Sequence, residues 1–327
     1  RSFFFKNEFK DHNSSFQNFT SSEVRAMISH IKGKGEYMAK KIRVSMMGAT
    51  GYAAAELIKR LLMHPHVELT KIASIDHVGE NVGQVHKNFG RRLNYCFENL
   101  TPAEVANHSD LVFLTLPHKV SFSKIPELFP FGVKIIDFSG DYRIQDVKLY
   151  EKYYGVTHTN PENIKTFVYG LPELNKESIR QATRIANPGC FSTASALSLL
   201  PLAHAGLLAG KVRIVGPTGS SGSGVNPTEG THHPIRHNNL KSYKPLSHQH
   251  QPEIEQTLTL AGAKNISVDF IPMSAPLSRG ILVNSICDLP STLKLAEIDQ
   301  IYKNFYKDSP FIRITGSKEL PEVISVA

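Results

Sequence analysis

The chain of 327 residues has a formal charge of +8, with 41% hydrophobic and 20% charged residues. This composition is typical of a globular protein with room for two domains, and no apolar run approaches the roughly 18 residues that span a membrane. Three widely spaced cysteines exclude a disulfide framework and a cysteine zinc site, and they favour a reducing compartment, so we expect a cytoplasmic protein.

Half of the net charge comes from residues 1–41, which hold eight Lys or Arg and four Asp or Glu. This segment is polar and irregular, without the apolar core of a secretory signal, and we expect it to be a disordered extension. The remainder is mildly basic and has no basic stripe interleaved with aromatic residues. We therefore expect a small anionic ligand and no nucleic-acid partner.

A strand, a glycine turn, a helix and a second strand are predicted from residue 42 onward. They cover Ile42–Met47, residues 48–51, residues 53–63 and residues 68–74. Such a βαβ unit presents the N-terminus of its helix to a pyrophosphate. The spacing G-x-x-G-x-x-A departs from the usual glycine fingerprint, so an ordinary turn between strand and helix is the alternative.

The end of the second predicted strand bears on the choice of cofactor. An acidic residue there favours the ribose hydroxyls of NAD, whereas an arginine favours the 2′-phosphate of NADP. The segment contains Ser74 and Asp76 but no arginine. These residues alone leave both cofactors open.

Two further apolar strands are predicted at residues 110–116 and 133–138, with helical stretches between them. Continuous apolar strands of this kind predict an α/β fold with a Rossmann-type, doubly wound parallel sheet. Ligands bind beyond the carboxyl ends of such strands, where His118 and Arg143 fall. A surface histidine and a salt-bridged arginine are the plainer interpretation of these two residues.

Cys190 follows a Pro-Gly turn and precedes small and apolar residues, with a helix predicted over residues 194–202. At a helix N-terminus, free N–H groups and the helix dipole favour a thiolate, so a lowered pKa is expected for this cysteine. The same N–H groups suit an oxyanion formed by thiolate attack on a carbonyl. The alternative is an inert cysteine buried in the core.

A strand is predicted at residues 211–216, followed by a loop whose small residues at 217–224 suit either close approach to a ligand or a flexible linker. Histidines cluster between residues 232 and 250, and the last of them precede a helix that begins near Pro252. A histidine there within reach of Cys190 would complete a nucleophile and base pair. No acidic or cysteine partner accompanies the histidines at helical spacing, so no metal site is expected.

Seven segments in this order resemble the N-acetyl-gamma-glutamyl-phosphate reductases of arginine biosynthesis, in the semialdehyde dehydrogenase superfamily: GATGYAAAEL, LTLPH, IDFSGDYRI, YGLPEL, NPGCFST, GSSGSG and HQHQPEI. The resemblance runs from about residue 42 to the end. It implies a dinucleotide-binding domain at 42–188 and an α+β catalytic and oligomerisation domain at 189–327, in a homodimer or homotetramer. It also implies reduction of an acyl phosphate to an aldehyde with NADPH.

The resemblance further implies roles for individual residues. Cys190 would be the nucleophile, His250 rather than His248 the acid–base group, and Glu253 would orient a histidine or contact the substrate. Substrate binding would fall to Arg143 and Asn187, and cofactor binding to Gly48, Thr50, Gly51, Tyr52, Ser74, Pro117, Ser221 and Gly222.

Several departures from the family pattern define the alternatives. Ile75 follows Ser74 where many members have arginine, which keeps NAD open, and Gln249 stands within H-Q-H where many have H-R-H, which keeps an N-succinyl substrate open. THHPIR and YKP resemble the loop of the carrier-linked amino-adipyl phosphate reductase of lysine biosynthesis. A catalytically silent member of the family is another alternative. The NPGC and histidine segments argue against it, because a silent relative would have no chemical need for them. The family usually continues beyond ELPEVISVA, so the C-terminal part of the family is expected to be truncated here.

Overall fold

The computed structural model describes residues 40–315 and 319–325. The extension expected at residues 1–41 lies outside them except for its last two residues. The first half of the described chain carries a six-stranded sheet in the order β2-β1-β3-β4-β6-β5, and every neighbouring pair is parallel. Its strands are β1 (Ile42–Met47), β2 (Val67–Ala73), β3 (Leu111–Leu114), β4 (Lys134–Asp137), β5 (Val168–Tyr169) and β6 (Arg184–Ala186).

The helices lie between and after these strands. They are α1 (Tyr52–Leu62), α2 (Val82–Val85), α3 (Pro102–Asn107), α4 (Ser121–Lys124), α5 (Val147–Tyr154), α6 (Pro172–Gln181), α7 (Cys190–His204), α8 (His233–Arg236), α9 (His250–Leu260) and α10 (Leu295–Tyr306). Among the described residues, no helix has both the length and the apolar character needed to cross a membrane.

Both faces of the first sheet are covered, which explains why its strands are continuously apolar. In β3, Val112 and Leu114 join one buried cluster, whereas Phe113 joins the cluster on the other face with Val44 and Ile58. This arrangement is the doubly wound sheet that the sequence predicts, and the predicted fold class is confirmed. The strand predicted at 110–116 is shorter in the structure because its ladder with β4 covers four residue pairs.

A second, mixed sheet follows in the order β10-β7-β9-β8. Its strands are β7 (Ala209–Thr218), β8 (Lys241–Ser242), β9 (Lys264–Ser274) and β10 (Asn284–Cys287). β7 and β9 are parallel, and the two outer pairs are antiparallel. Leu199 of α7, Ile254 of α9 and Phe270 of β9 are buried in one cluster, so the two helices and this sheet share a core.

Helix α7 is longer than the predicted 194–202 and includes a proline. Pro201 has no N–H group for the carbonyl of Leu197, one turn earlier. The hydroxyl of Tyr306 donates to that carbonyl oxygen at 2.6 Å, and the hydroxyl of Tyr302 donates to the carbonyl of Ser198 at 2.5 Å. Helix α10 therefore supplies the missing donor, and the proline is tolerated inside α7.

Candidate active site

A cleft of about 1910 Å³ opens at the carboxyl ends of the first sheet and reaches the second sheet. It is lined by most of the residues that the sequence predicts for the site: Gly48, Thr50, Gly51, Tyr52, Ser74, Pro117, Arg143, Cys190, Ser221, Gly222, His248 and His250. Asn187 and Glu253 are not part of the lining. The fold thus brings residues separated by about two hundred positions into one cavity.

Cys190 is the first residue of α7 and is exposed to the cleft, whereas Gly189 before it is buried. Gly189 has the extended conformation of a helix N-cap, and its carbonyl accepts from the N–H of Thr193 at 2.8 Å. An exposed thiol at this position does not agree with the alternative of a cysteine buried in the core. Cys190 is accessible to a ligand in the cleft.

The pKa of Cys190 is raised, contrary to the lowered value that the sequence predicts. The residue is open to the cleft, but the protein atoms packed around the cleft keep bulk water away from the thiol, and this desolvation is the largest cause; the negative charge of Glu253 adds to it. The N–H of Phe191 and the positive charge of Arg143 lower the pKa, as expected at a helix start, but they do not outweigh desolvation. The thiol is therefore predominantly protonated at neutral pH, and its attack on a carbonyl needs a proton acceptor.

Glu253 lies on α9 directly behind the nucleophile, with no exposed surface. Its Oε1 accepts from the N–H of Gly189 at 2.8 Å and from the hydroxyl of Tyr169 at 2.8 Å. Its Oε2 lies 3.7 Å from a guanidinium nitrogen of Arg143. Glu253 makes no hydrogen bond with either His248 or His250, so its observed contacts differ from the predicted role of orienting a histidine.

Arg143 lines the cleft but is only 4% exposed. Its Nε donates to the carbonyl of Asn187 at 2.6 Å, and Nη2 donates to the carbonyl of Phe138 at 2.7 Å. Burial acts to lower the pKa of Arg143, but the nearby Glu253 carboxylate is among the groups that leave it raised, so the side chain stays charged. These contacts fit the plainer interpretation of a salt-bridged arginine. The two hydrogen bonds use Nε and Nη2, and Nη1 is the nitrogen that lies near Glu253.

Asn187 belongs to the backbone of the turn rather than to the cleft surface. Its N–H donates to the carbonyl of Asp137 at 2.8 Å, its carbonyl accepts from Arg143, and its side-chain amide donates to the carbonyl of Pro188 at 3.3 Å. The structure therefore does not bring the Asn187 side chain to the position of a substrate ligand.

His250 packs directly against the turn before Cys190. A methyl group placed on Gly189 would lie 2.4 Å from Nε2 of His250, so only glycine leaves room for this ring. Nδ1 of His250 is buried and has no hydrogen-bond partner among the described residues. Burial, followed by the positive charges of Arg143 and His118, lowers the pKa of His250 to about 3. His250 is therefore neutral, and its Nε2 faces Gly189, the residue before Cys190.

His248 is placed differently from its neighbour. Its Nδ1 accepts from the backbone N–H of His250 at 3.2 Å, which helps to fix the start of α9. Burial lowers the pKa of His248 to about 3, and the positive charges of His250 and Lys244 contribute. Its ring also packs edge-on against Phe191 and Tyr243. His250 also lies edge-on to Phe191, and the assignment of His250 rather than His248 as the acid–base group stays a prediction.

His118 lies in the cleft, as its position after a strand predicts. Its Nδ1 accepts from the N–H of Gly140 at 2.7 Å, which leaves the proton of the neutral ring on Nε2. Its loop is held by Asp141, whose carboxylate accepts from the N–H of Lys119 at 2.9 Å and of Phe122 at 3.1 Å. Asp141 was not predicted as a site residue, although it stands in the DFSGDYR segment.

The cofactor end of the cleft fits a dinucleotide. Gly48 has a φ of +81°, and a Cβ on it would lie 3.0 Å from the backbone nitrogen of Leu116. The N-cap of α1 is Gly51, which has no side chain to accept from the first N–H groups of the helix, and the first turn of α1 has no acidic residue. The N–H groups of this turn thus remain available to a pyrophosphate. Ser74 turns inward, where its Oγ accepts from the N–H of Asp76 at 3.1 Å.

The small-residue loop on the opposite wall is fixed rather than a flexible linker. The N–H groups of Gly219, Ser220 and Ser221 donate to the carbonyls of Gly280, Leu277 and Ser278 at 2.9–3.0 Å. A Cβ on Gly219 would lie 2.6 Å from the backbone nitrogen of Arg279. These contacts hold Ser221 and Gly222 at the cleft. No group of three or more His, Cys, Asp or Glu residues suited to a metal ion occurs in residues 40–315 and 319–325.

Comparison with known proteins defines the class. Residues 43–182 match the semialdehyde dehydrogenase NAD binding domain, and residues 190–327 match the semialdehyde dehydrogenase dimerisation domain. Aspartate semialdehyde dehydrogenase II from Vibrio cholerae shares the fold, with a TM-score of 0.66, 15% identity, and coverage of 88% of this chain and 85% of that chain. A second one, with NADP, from Candida albicans has a TM-score of 0.55 and 14% identity over 80% and 76% of the two chains. The fold and the site are those of an oxidoreductase of the semialdehyde dehydrogenase class.

Sequence relatives narrow this class. The chain is 37% identical to the N-acetyl-gamma-glutamyl-phosphate reductase of Methanosphaera stadtmanae, over 88% of this chain and 82% of the relative. It is 40% identical to that of Methanocaldococcus jannaschii over 86% and 81%, and 36% identical to that of Bacillus cereus strain AH187 over the same shares. The chain belongs to the N-acetyl-gamma-glutamyl-phosphate reductase family, which confirms the resemblance seen in its motifs.

Proposed function

We propose that the chain reduces N-acetyl-gamma-glutamyl phosphate to N-acetyl-glutamate 5-semialdehyde and phosphate, with NADPH as reductant, in arginine biosynthesis. The proposal depends most on one observation, the exposed Cys190 at a helix start whose preceding residue, Gly189, packs against the Nε2 of His250. The names of the relatives reported above favour the N-acetyl substrate over the N-succinyl and carrier-linked alternatives.

The reaction begins with Cys190. Because its pKa is raised, the thiol must lose its proton as the sulfur attacks the acyl carbon, and the neutral His250 beside it accepts that proton. The tetrahedral oxyanion then collapses, the bond from carbon to phosphate oxygen breaks, and phosphate leaves. The product is a thioester on Cys190. The N–H groups at the start of α7 are the donors available to the oxyanion.

A bound nicotinamide would supply two electrons, as hydride, to the thioester carbon. The imidazolium of His250 returns its proton to the oxygen of the thiohemiacetal that results on Cys190. His250 then takes the hydroxyl proton as the carbon–sulfur bond breaks, the aldehyde leaves, and the proton passes to the Cys190 sulfur.

Cofactor preference and assembly belong to the same proposal. The glycine turn after β1 and the free N-terminus of α1 suit the pyrophosphate of either nicotinamide dinucleotide, and we propose NADP as the physiological one. The match of residues 190–327 to a dimerisation domain supports an oligomer, for which we propose a homodimer or homotetramer. We propose the cytoplasm as its compartment.

The test is the reverse reaction with phosphate. Purified protein is given N-acetyl-glutamate semialdehyde or N-succinyl-glutamate semialdehyde, with NADP or NAD, and nicotinamide reduction is followed. Phosphate-dependent reduction with the N-acetyl compound and NADP is expected, and Cys190→Ser should abolish it. His250→Asn should slow turnover by about two to four orders of magnitude, and His248→Asn should have a smaller effect.

Three outcomes would contradict parts of this proposal. Activity in the Cys190→Ser variant would exclude the thioester mechanism. A larger effect at His248 would reverse the assignment of the acid–base group. Preferred reduction with the N-succinyl compound, or with NAD, would replace the proposed substrate or cofactor.

A further inference from the structure

The segment YGLPEL places a buried tyrosine, Tyr169, near Cys190, and none of the proposed reaction steps uses it. Tyr169 is the last residue of β5, at the edge of the first sheet, and is 6% exposed. The next residue permits this placement, because a Cβ on Gly170 would lie 2.6 Å from the side chain of Ile185 on β6. The ring of Tyr169 joins the core of the second half of the chain.

The hydroxyl of Tyr169 lies between two groups that contact the Cys190 turn. It donates to Oε1 of Glu253 at 2.8 Å and lies 2.9 Å from Oγ of Ser192, whose O–H can donate to it in return. The same Oε1 accepts from the N–H of Gly189 at 2.8 Å. Residues on both sides of Cys190 are thereby connected through one phenolic oxygen, entirely within the protein interior.

We propose that Tyr169 is a positioning residue for Cys190, holding Glu253 and Ser192 so that the nucleophile turn keeps its reactive geometry. The inference rests on the proposed function, in which Cys190 is the nucleophile. Tyr169 does not line the cleft, so it acts through Glu253 and Ser192 and not on the substrate.

The charges around Cys190 predict the direction in which the loss of the Tyr169 hydroxyl would change the pKa of the thiol. Arg143 lowers the pKa of the thiol and Glu253 raises it, and the ionisation of Cys190 in turn raises the pKa of Tyr243. The Tyr169 hydroxyl neutralises part of the Glu253 charge by donating to it. Its removal should therefore make the thiolate less favourable, whereas removal of the Glu253 charge itself should make the thiolate more favourable.

The experiment measures the alkylation rate of Cys190 by iodoacetamide against pH, without substrate or cofactor, by mass spectrometry of the Cys190 peptide. Tyr169→Phe should slow alkylation at pH 7 roughly three- to tenfold and shift the pH profile upward. Glu253→Gln should shift the profile downward. Tyr306→Phe is the matched control, because that hydroxyl bonds to Leu197 in the middle of the same helix, about two turns from Cys190, and it should leave the rate unchanged.

Opposite shifts in the two site variants, with an unchanged control, are expected. Equal rates for Tyr169→Phe and the wild type, or an equal slowing in Tyr306→Phe, would overturn the positioning role. If Glu253→Gln does not fold, the comparison of the two tyrosine variants decides alone. If Cys190→Ser keeps the phosphate-dependent turnover of the wild type, the nucleophile assignment fails instead, which separates the two proposals.

Discussion

Replacing Gly189 with alanine tests the close packing behind the nucleophile. The added methyl group would lie 2.4 Å from Nε2 of His250 and 2.9 Å from Oε2 of Glu253, whereas ordinary Cβ contacts begin at 3.4 Å. The imidazole must therefore move by about 1 Å, and a displacement of this kind in an overpacked core lowers the stability of the protein. The φ of −67° at Gly189 suits alanine, so backbone strain does not contribute.

The size of the effect follows from this displacement. Overpacking of a buried site costs about 1–3 kcal/mol in the free energy of unfolding. The entropy of unfolding grows with chain length, and in a chain of this size each kcal/mol lowers the melting temperature by about 2 °C, so a decrease of about 2–6 °C is expected. A misplacement of about 1 Å at a catalytic group lowers kcat by roughly a hundredfold.

Thermal melting and kcat of Gly189→Ala are compared with those of the wild type. Gly230→Ala is the control for stability, because no atom lies within 4 Å of its added methyl group and its φ is not positive. If Gly189→Ala melts and turns over like the wild type, the close contact between Gly189 and His250 is refuted, together with the argument built on it.

Two further predictions concern stability. From pH 7 to pH 5 the free energy of unfolding should fall by about 2–3 kcal/mol. The unfolded chain protonates His248 and His250 near pH 6.5, whereas the folded chain does so only near pH 3, so acid favours the unfolded chain. Asp137 has a pKa of about 6 in the folded chain, and the proton that it binds there offsets part of the loss. Denaturant titrations check this. In the double variant His248→Asn/His250→Asn the fall should disappear, and Asp137 alone would give a rise of about 1 kcal/mol; a fall equal to that of the wild type would contradict this account. Tyr306→Phe should cost about 1–3 kcal/mol of unfolding free energy, since it leaves the carbonyl beneath Pro201 without a donor. Adding Pro201→Ala should restore part of that loss by supplying an N–H group, and a fully stable Tyr306→Phe variant would count against this account.

The parts of the fold that local sequence determines were predictable. The strand Ile42–Met47 has the predicted bounds, because its apolar run ends at a glycine turn. Helix α7 extends beyond the predicted 194–202 in both directions: it begins directly after the extended Gly189, and a donor from α10 satisfies the carbonyl that Pro201 leaves open inside it. No local pattern contains that tertiary hydrogen bond.

The sequence predicts which residue types line the site, but it predicts their surroundings, and therefore their pKa values, less well. Cys190 and His250 do line one cleft, yet the pKa of the thiol is raised, because desolvation depends on all the atoms around it and not only on the helix start. The contact between Tyr169 and Glu253 joins residues 84 positions apart. A single sequence carries no signal for such a pair, whereas motif spacing sufficed for the glycine turn at Gly48.

The support of the nucleophile turn has a consequence for modularity. Arg143 and Tyr169 come from the half of the chain that carries the parallel sheet, and their partner Glu253 comes from the other half. A fragment cut after residue 188 would lose the carboxylate that contacts both Arg143 and Tyr169. When this half is combined with the other half of a distant homologue, a new partner that buried Arg143 without supplying a carboxylate would cost about 3–5 kcal/mol. The two halves therefore constitute one unit of inheritance, even though each has its own sheet.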